Sequence, residues 1–416
     1  MRMEWQFHRL EDLTEADRPI TYGVVKPGPE DLETGVKFIR GGDIFEGKLA
    51  IENLRTITPE ISKSYSRTLL SGGELVISLV GNPGHVAVVP KSLAGANLAR
   101  QAGLIALRKG IDADFIKFYL MSPQGRAELF AQMTGSVQIV INLHSLRTVR
   151  VPLPPFSIQQ RIAGILSAYD ELIENSQRRI KILESMARTL YREWFVHFRF
   201  PGHETIPRTP SPLGEIPLGW EVKKLGDISS YINRGITPRY DEEGDSVVIN
   251  QKCVRDQRLN LEPARRQSKA ISSEKQVCFG DVLINSTGVG TLGRVAQVYE
   301  SLENCTADTH VTIARASLDT DLDFYGCCLL SLQETFERLG IGATGQTELG
   351  RAAISDIELI VPPTDLQRRF GETVKGMRTA ALTYGNQIQN LRRTRDLLLP
   401  RLLSGQINVE TIEDAQ

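Results

Sequence analysis

An internal duplication constrains this chain more than any other feature. The stretch TGSVQIVINLHSLRTVRVPLPPFSIQQR (134–161) returns as TGQTELGRAAISDIELIVPPTDLQRR (344–369), and Pro154-Pro155, Gln159 and Arg161 match Pro362-Pro363, Gln367 and Arg369 at a shift of 208. GGELVISLVGNPGHVAVV (72–89) matches FGDVLINSTGVGTLGRVAQV (279–298) at 207 to 209, and FIKFYLMS (115–122) matches FYGCCLLS (324–331) at 209. Trp5 and Trp220 each open a half, followed by Leu10 and Leu225. The 416 residues thus hold two units of about 205. Two long units exclude a solenoid, which stacks at least three short repeats.

Each unit has two parts. In the first part, short apolar runs (LVISLV, VAVVP, LIALR; VLINST, RVAQVY, VTIARA) between Gly, Pro and Asn turns read as strands. Helices follow around Phe115–Met121 and Arg126–Met133, then a proline-rich strand, Val151–Pro155 or Val361–Pro363.

The second part carries a heptad seam. Ile158, Ile162, Leu166, Tyr169, Ile173, Ser176, Ile180, Leu183, Ala187, Leu190 and Trp194 are spaced 4, 4, 3, 4, 3, 4, 3, 4, 3, 4. Adding 208 gives Leu366, Phe370, Val374, Met377, Ala381, Tyr384, Ile388, Leu391, Arg395, Leu398 and Leu402, where only Arg395 is charged. Between Pro155 and Phe200 only Gly164 could interrupt a helix, so the 37 residues from 158 to 194 predict a rod of about 55 Å. Such a rod exceeds the roughly 13–16 Å gyration radius of a 100–150-residue domain, and its own duplicate is the available cover for the seam. The second rod is expected to be less continuous, because Gly371, Gly376 and Gly385 each cost roughly 1 kcal/mol relative to Ala. The fold expected is α+β: two pseudo-two-fold-related mixed α/β domains separated by a long antiparallel two-helix coiled coil. The expected boundaries are 1–150, 151–200, 201–358, 359–408 and a tail 409–416.

Several chemistries lack their residues. GVGTLG (288–293) has the dinucleotide-loop spacing, but RVAQVYE after it alternates like a strand, and the duplicate loop GNPGHVAVV contains Pro83. A strand–turn–strand loop accounts for both copies. Neither an N-P-P-[YF] methyltransferase motif, nor a nuclease P-D…(D/E)-x-K, nor a G-x-S-x-G elbow occurs. The six histidines (8, 85, 144, 197, 203, 310) form no i, i+4 pair, so no metal site is expected. The chain reads as non-catalytic. No apolar run approaches the ~18 residues of a membrane span, and the charged start MRMEWQFHRLEDL is not a secretory signal. Five cysteines without a C-x-x-C pair read as reduced thiols in a cytoplasmic protein.

The net charge of −1 excludes a uniformly basic coat, yet it divides unevenly: residues 1–208 hold 26 basic and 22 acidic side chains, or +4, leaving −5 for the rest. Lys252, Arg255, Arg258, Arg265, Arg266 and Lys269 face only Asp256 and Glu262. They suit phosphates or guanine edges, or equally an ordinary solvated face. The globular parts keep framework residues and change polar ones: Arg40-Gly41-Gly42 against Asn250-Gln251-Lys252, and Ser136-Val137-Gln138 against Gln346-Thr347-Glu348. Similar scaffolds with different polar loops suit the reading of two different short sequences.

Two variable domains alternating with two helical repeats, together with IPLGWEVKKLGDI (216–228), VPLPPFSIQQRIAGIL (151–166) and LLLPRLLSGQI (397–407), make essentially the whole chain resemble the specificity subunit of type I restriction–modification systems. The resemblance implies that each variable domain is a target-recognition domain reading one half of a bipartite site on double-stranded DNA. It implies that the helices form an antiparallel coiled coil docking two methyltransferase subunits, with restriction subunits beyond. S-adenosylmethionine, ATP and Mg would then reside on those partners, with no cofactor on this chain and no membrane partner. Loop position and polarity nominate Arg40, Lys48, Arg67, Asn82, His85, Ser136, Gln138, Asn250, Lys252, Arg255, Arg258, Arg265, Arg266, Lys269, Arg294, Gln346 and Thr347 for DNA contact. Spacer and partner contacts are expected from Ile173, Ile180, Leu183, Leu190, Trp194, Phe195, Ala381, Tyr384, Ile388, Leu391, Leu398 and Leu402. The aromatics closing the first rod (Tyr191, Trp194, Phe195, Phe198, Phe200) serve either as partner anchors or as caps on the protein's own second domain. A nucleotide-dependent enzyme built on GVGTLG and a scaffold with two peptide-binding heads are the competing classes.

Overall fold

The duplicated strands build the same set of sheets twice. A computed structural model describes residues 5–131, 140–340 and 348–409. The chain divides into two units, residues 1–175 with 387–416 and residues 176–386. In the first, a four-stranded antiparallel sheet has the order Thr21–Tyr22, Ala102–Ile105, Leu75–Ser78, Val86–Val88. A three-stranded sheet has the order Arg55–Ile57, Val36–Ile39, Asn97–Leu98, its second pair parallel. The second unit repeats both orders, with Ser229–Arg234, Val311–Ala316, Val282–Asn285, Val295–Gln297, and with Arg265–Gln267, Ser246–Ile249, Cys305–Ala307. It adds a hairpin of Arg208–Ser211 with Gly214–Pro217.

Small hairpins recur too. Ile44–Phe45 pairs with Lys48–Leu49 across Glu46 and Gly47 (φ 46° and 84°), and Val254–Arg255 pairs with Arg258–Leu259 across Asp256 and Gln257 (φ 52° and 58°). Two successive positive φ values match the right-handed twist of a two-residue hairpin. Gln257 has no glycine's freedom there. Its side chain donates to the Leu330 carbonyl at 3.0 Å, which anchors the turn.

In each unit an early strand closes the sheet domain: Gln6–Arg9 pairs with Arg150–Leu153, and Glu221–Lys224 pairs with Glu358–Val361. The prolines that follow end each strand because they cannot donate to a ladder. Two long helices then begin, α1 (Phe156–Tyr191, 36 residues) and α2 (Thr364–Leu403, 40 residues). The repeated glutamines weld each helix to its sheet domain. Buried Gln159 donates to the Pro154 carbonyl at 2.8 Å and accepts from the Asp112 amide at 2.9 Å; Gln367 donates to Pro362 at 2.8 Å and accepts from Asp321 at 3.1 Å. Asp112 and Asp321 are themselves N-caps of the helices Ala113–Met121 and Leu322–Ser331.

Every expected seam position on α1 and α2 is buried or half-buried. In the first unit Ile158, Ile162 and Leu166 share a core with Leu402 and Leu403, and Arg395 donates to Asp170 at 2.6 Å, so its polar layer is internally paired. In the second, Tyr191 and Trp194 pack on Phe370, and Arg179 donates to the Tyr384 hydroxyl at 2.9 Å. The two-unit division cuts both helices, so that each half-helix buries its seam within one unit.

The expected weakness of α2 is not observed: it runs unbroken through Gly371, Gly376, Gly385 and Pro400. Buried Phe370, Val374 and Ile388 supply packing that outweighs glycine's entropy. Gly371 is required, because a Cβ there would lie 2.5 Å from the Asp321 carboxylate. The α-helical part of α1 stops at Tyr191 and passes into a π turn, Arg192–Val196. Tyr191, Trp194, Phe195 and Phe200 are all buried with Trp220, Phe324 and Phe370, so of the two roles left open for these aromatics the internal cap is the one observed. No helix among the described residues is long and apolar enough to cross a membrane. All five cysteines are free, Cys278 alone being exposed.

Candidate nucleic-acid interface

In each unit the turns next to the sheet strands carry polar residues that differ between the copies. In the first unit a cleft of ≈ 430 Å³ is lined by Arg40, Gly42, Asp43, Val80, Gly81, Asn82 and Gln101. The strand Val36–Ile39 delivers Arg40, the turn after Leu75–Ser78 delivers Asn82, and Gln101 precedes Ala102–Ile105. Among the described residues, Arg40 and Asn82 are the expected DNA-contacting residues that line this cleft.

Arg40 is committed to Asp43, at 3.1 Å from Nε and 2.8 Å from Nη2, while Asp43 also accepts the Arg40 amide at 2.8 Å. Hydrogen bonding to Asp43 pushes the guanidinium pKa up. His85 is buried, which pushes its pKa down, with the nearby Arg126 charge adding to the effect. The neutral ring accepts the Glu46 amide at Nδ1 (3.3 Å), so its proton sits on Nε2. Nε2 lies 2.8 Å from the Asn82 side-chain amide. His85 also lies against Phe45, with ring centroids 5.0 Å apart, and is a support rather than a surface group. Lys48 pairs with Glu174 on α1, and Arg67 is exposed on a one-turn segment, Ser66–Thr68.

In the second unit Asn250 donates to the Pro263 carbonyl at 2.7 Å and accepts the Lys252 amide at 2.9 Å, acting as a turn cap. Arg258 reaches Glu184 of α1 with two bonds, 2.7 and 2.6 Å. Arg265 stacks on Tyr240 at 3.7 Å, Arg266 donates to Gly244 (2.9 Å) and Lys269 to Thr237 (3.2 Å). Lys252 and Arg255 are exposed, with Arg255 beside Asp256. Arg294 donates to the Gly290 carbonyl at 2.7 Å inside GVGTLG. That loop joins the antiparallel strands Val282–Asn285 and Val295–Gln297, so no helix follows to hold a pyrophosphate. Ser136, Gln138, Gln346 and Thr347 lie outside the described residues.

The basic run from 252 to 269 is carried by a hairpin, an edge strand and a loop, and most of its members already have partners within the unit. Gln101 was not nominated, although the sequence holds a signal for it: it opens a duplicated strand at the same shift, 209, that pairs FIKFYLMS with FYGCCLLS. No group of three or more His, Cys, Asp or Glu side chains among the described residues could hold a metal ion.

Known proteins carry the same pattern. The chain is 26% identical over 433 residues to the MjaIX type I restriction enzyme specificity subunit of Methanocaldococcus jannaschii, covering 98% of this chain and 95% of that one. Over 175 residues it is 30% identical to the EcoBI specificity subunit of Escherichia coli, covering 41% of this chain and 36% of that one. A crystal structure of the type I restriction–modification S subunit from M. genitalium shares the fold, with TM-score 0.57 and 17% identity over 96% of both chains. The model of the type I restriction modification DNA specificity domain matches twice, at residues 3–185 and 217–390, in step with the duplicated sheets. Those two matches cover most of the chain, which belongs to the type I restriction–modification DNA specificity family.

Proposed function

We propose that this non-catalytic specificity subunit reads a bipartite, asymmetric site on double-stranded DNA, one half-site per recognition fold, with a gap set by α1 and α2. The observation that carries the proposal is one sheet topology occurring twice with different polar residues at equivalent turn positions, Arg40, His85 and Gln101 against Asn250, Arg294 and His310. Support for an antiparallel two-helix spacer comes from the pairing order. In the first unit Arg161 meets Val409 and Asp170 meets Arg395; in the second Arg179 meets Tyr384 and Tyr191 meets Phe370. In each unit the partner number falls as the α1 number rises. A stiff spacer converts the undetermined gap into a length, as half-site spacing is for dimeric repressors.

On this proposal two methyltransferase subunits dock on the helices and restriction subunits join them, and S-adenosylmethionine, ATP and Mg belong to those chains. Exposed Leu172, Ile182 and Met186 on α1 are apolar surface available for such docking. Methylation mapping of the full complex tests the reading. Replacing residues 1–150 by another recognition fold is expected to change one half-site only. Inserting one heptad in each helix, near Ile180 and Ile388, is expected to lengthen the gap and keep both half-sites. An unchanged gap sinks the spacer, and a change in both halves after the replacement sinks independent reading.

A further inference from the structure

A side chain that reads a base needs a donor or acceptor not already spent inside the protein. Arg40, His85 and Asn250 fail that condition, since releasing any of them strands an internal partner. Gln101 and His310 meet it, and the backbone makes them equivalent. The Leu79 amide donates to the Gln101 carbonyl and the Ser286 amide to the His310 carbonyl, both at 2.8 Å. Leu79 in turn accepts from Ile141 (3.0 Å) and Ser286 from Leu349 (2.8 Å), and the bridges Val80–Val140 and Thr287–Glu348 complete the match. Each residue immediately precedes the strand that pairs at the sheet centre, Ala102–Ile105 or Val311–Ala316.

Both side chains are exposed on otherwise buried frames, with Ala102 and Val311 next to them fully buried. The Gln101 amide lines the cleft and makes no hydrogen bond among the described residues. His310 has its Nδ1 2.7 Å from the Thr287 hydroxyl, and its main chain is pinned by Asp308 at 2.8 Å. Its Nε2 has no hydrogen-bond partner among the described residues.

We infer that Gln101 and His310 are the specificity-determining residues at equivalent positions of the two recognition folds, each contacting one base edge of its own half-site. The inference rests on the bipartite-reading proposal and adds which atoms read. A glutamine amide matches adenine N6 and N7 with two hydrogen bonds. The His310 ring presents Nε2, a single donor that suits guanine N7 or O6 when Nδ1 accepts from the Thr287 hydroxyl. The different identities at one backbone position give the two halves different preferences.

The test uses the full chain assembled with its methyltransferase subunits. Methylation mapping of the wild-type complex first defines the site; methylation rates are then measured on duplexes substituted one base pair at a time. For Gln101→Ala, discrimination at one base pair of one half-site is expected to fall about five- to 150-fold, with the other half unchanged. His310→Ala is expected to do the same in the other half. The bonds that hold both turns come from the main chain, so these exposed substitutions leave the folds intact, and Gln101→His checks this by keeping binding while changing preference. Unaltered preference at every base pair overturns the inference. So does a uniform loss over all sequences, which marks phosphate contact. A wild-type complex with no sequence-dependent methylation would instead remove the bipartite reading itself, and the inference with it.

Discussion

Where the first recognition fold meets the helices, Ile162 faces a core with Leu402 and Leu403; at the equivalent places of the second stand Phe370, Trp194 and Phe195. The shift of 208 exchanges these sets residue for residue. One junction is aliphatic, the other a ring cluster in which Phe195 lies 4.9 to 6.1 Å from the centroids of Phe324, Phe370, Tyr191, Trp220 and Trp194. Duplication has kept the positions that must be buried and left the shapes filling them free. Offset and edge-on ring pairs add roughly 0.5–1.5 kcal/mol each beyond burial, so the second junction should be the stiffer. Phe195→Ala is expected to cost about 3–5 kcal/mol and Leu403→Ala about 2–5 kcal/mol, with Phe195 the larger loss in denaturant unfolding. Trp194 and Trp220 report the second unit and Trp5 the first, so tryptophan emission follows both. A greater loss for Leu403→Ala breaks the comparison.

The glutamine welds sharpen it from the other side, because here the two copies agree. Gln159 and Gln367 each satisfy a proline carbonyl and an N-cap amide in a buried site. Replacing either by Ala is expected to cost about 1–3 kcal/mol, with like losses in the two units. Unequal losses would mean that the surrounding packing, not the hydrogen bonds, sets the strength of the joint.

The seam was legible because burial is what a heptad stripe encodes, and the expected positions on α1 and α2 are indeed covered. Repetition flagged Gln159 and Gln367, but not their partners. Charged loop residues were legible only as charges. Arg258 finds Glu184 and Lys48 finds Glu174 across 74 and 126 residues of chain, distances over which composition carries no pairing signal. For the same reason the run from Lys252 to Lys269 read only as charge that suits phosphates or a solvated face, while the structure spreads it over a hairpin, an edge strand and a loop. Gln101 sits at the opposite limit: one exposed glutamine has no periodicity, its one sequence signal is the shift of 209 to His310, and the backbone bonds give that alignment its meaning. Helix continuity failed as an expectation because glycine propensity is local, while Gly371 is placed by its approach to Asp321.

The smallest expected effect separates the hairpins that lean on α1. Arg258 grips Glu184 with a two-bond fork, whereas Lys48 touches Glu174 with a single ammonium, and both pairs face solvent. Exposed pairs contribute about 0.2–1 kcal/mol, and a two-bond guanidinium loses less freedom per bond than a lysine stem. Double-mutant cycles with Arg258→Ala and Glu184→Ala, and with Lys48→Ala and Glu174→Ala, are expected to give the larger coupling for the arginine pair. Both couplings should shrink as salt is raised, because screening reaches groups at this exposure. If the couplings are equal, the fork geometry contributes nothing beyond charge. If the arginine coupling survives high salt undiminished, the hairpin is held by the Gln257 bond to Leu330 and its turn rather than by the ion pair.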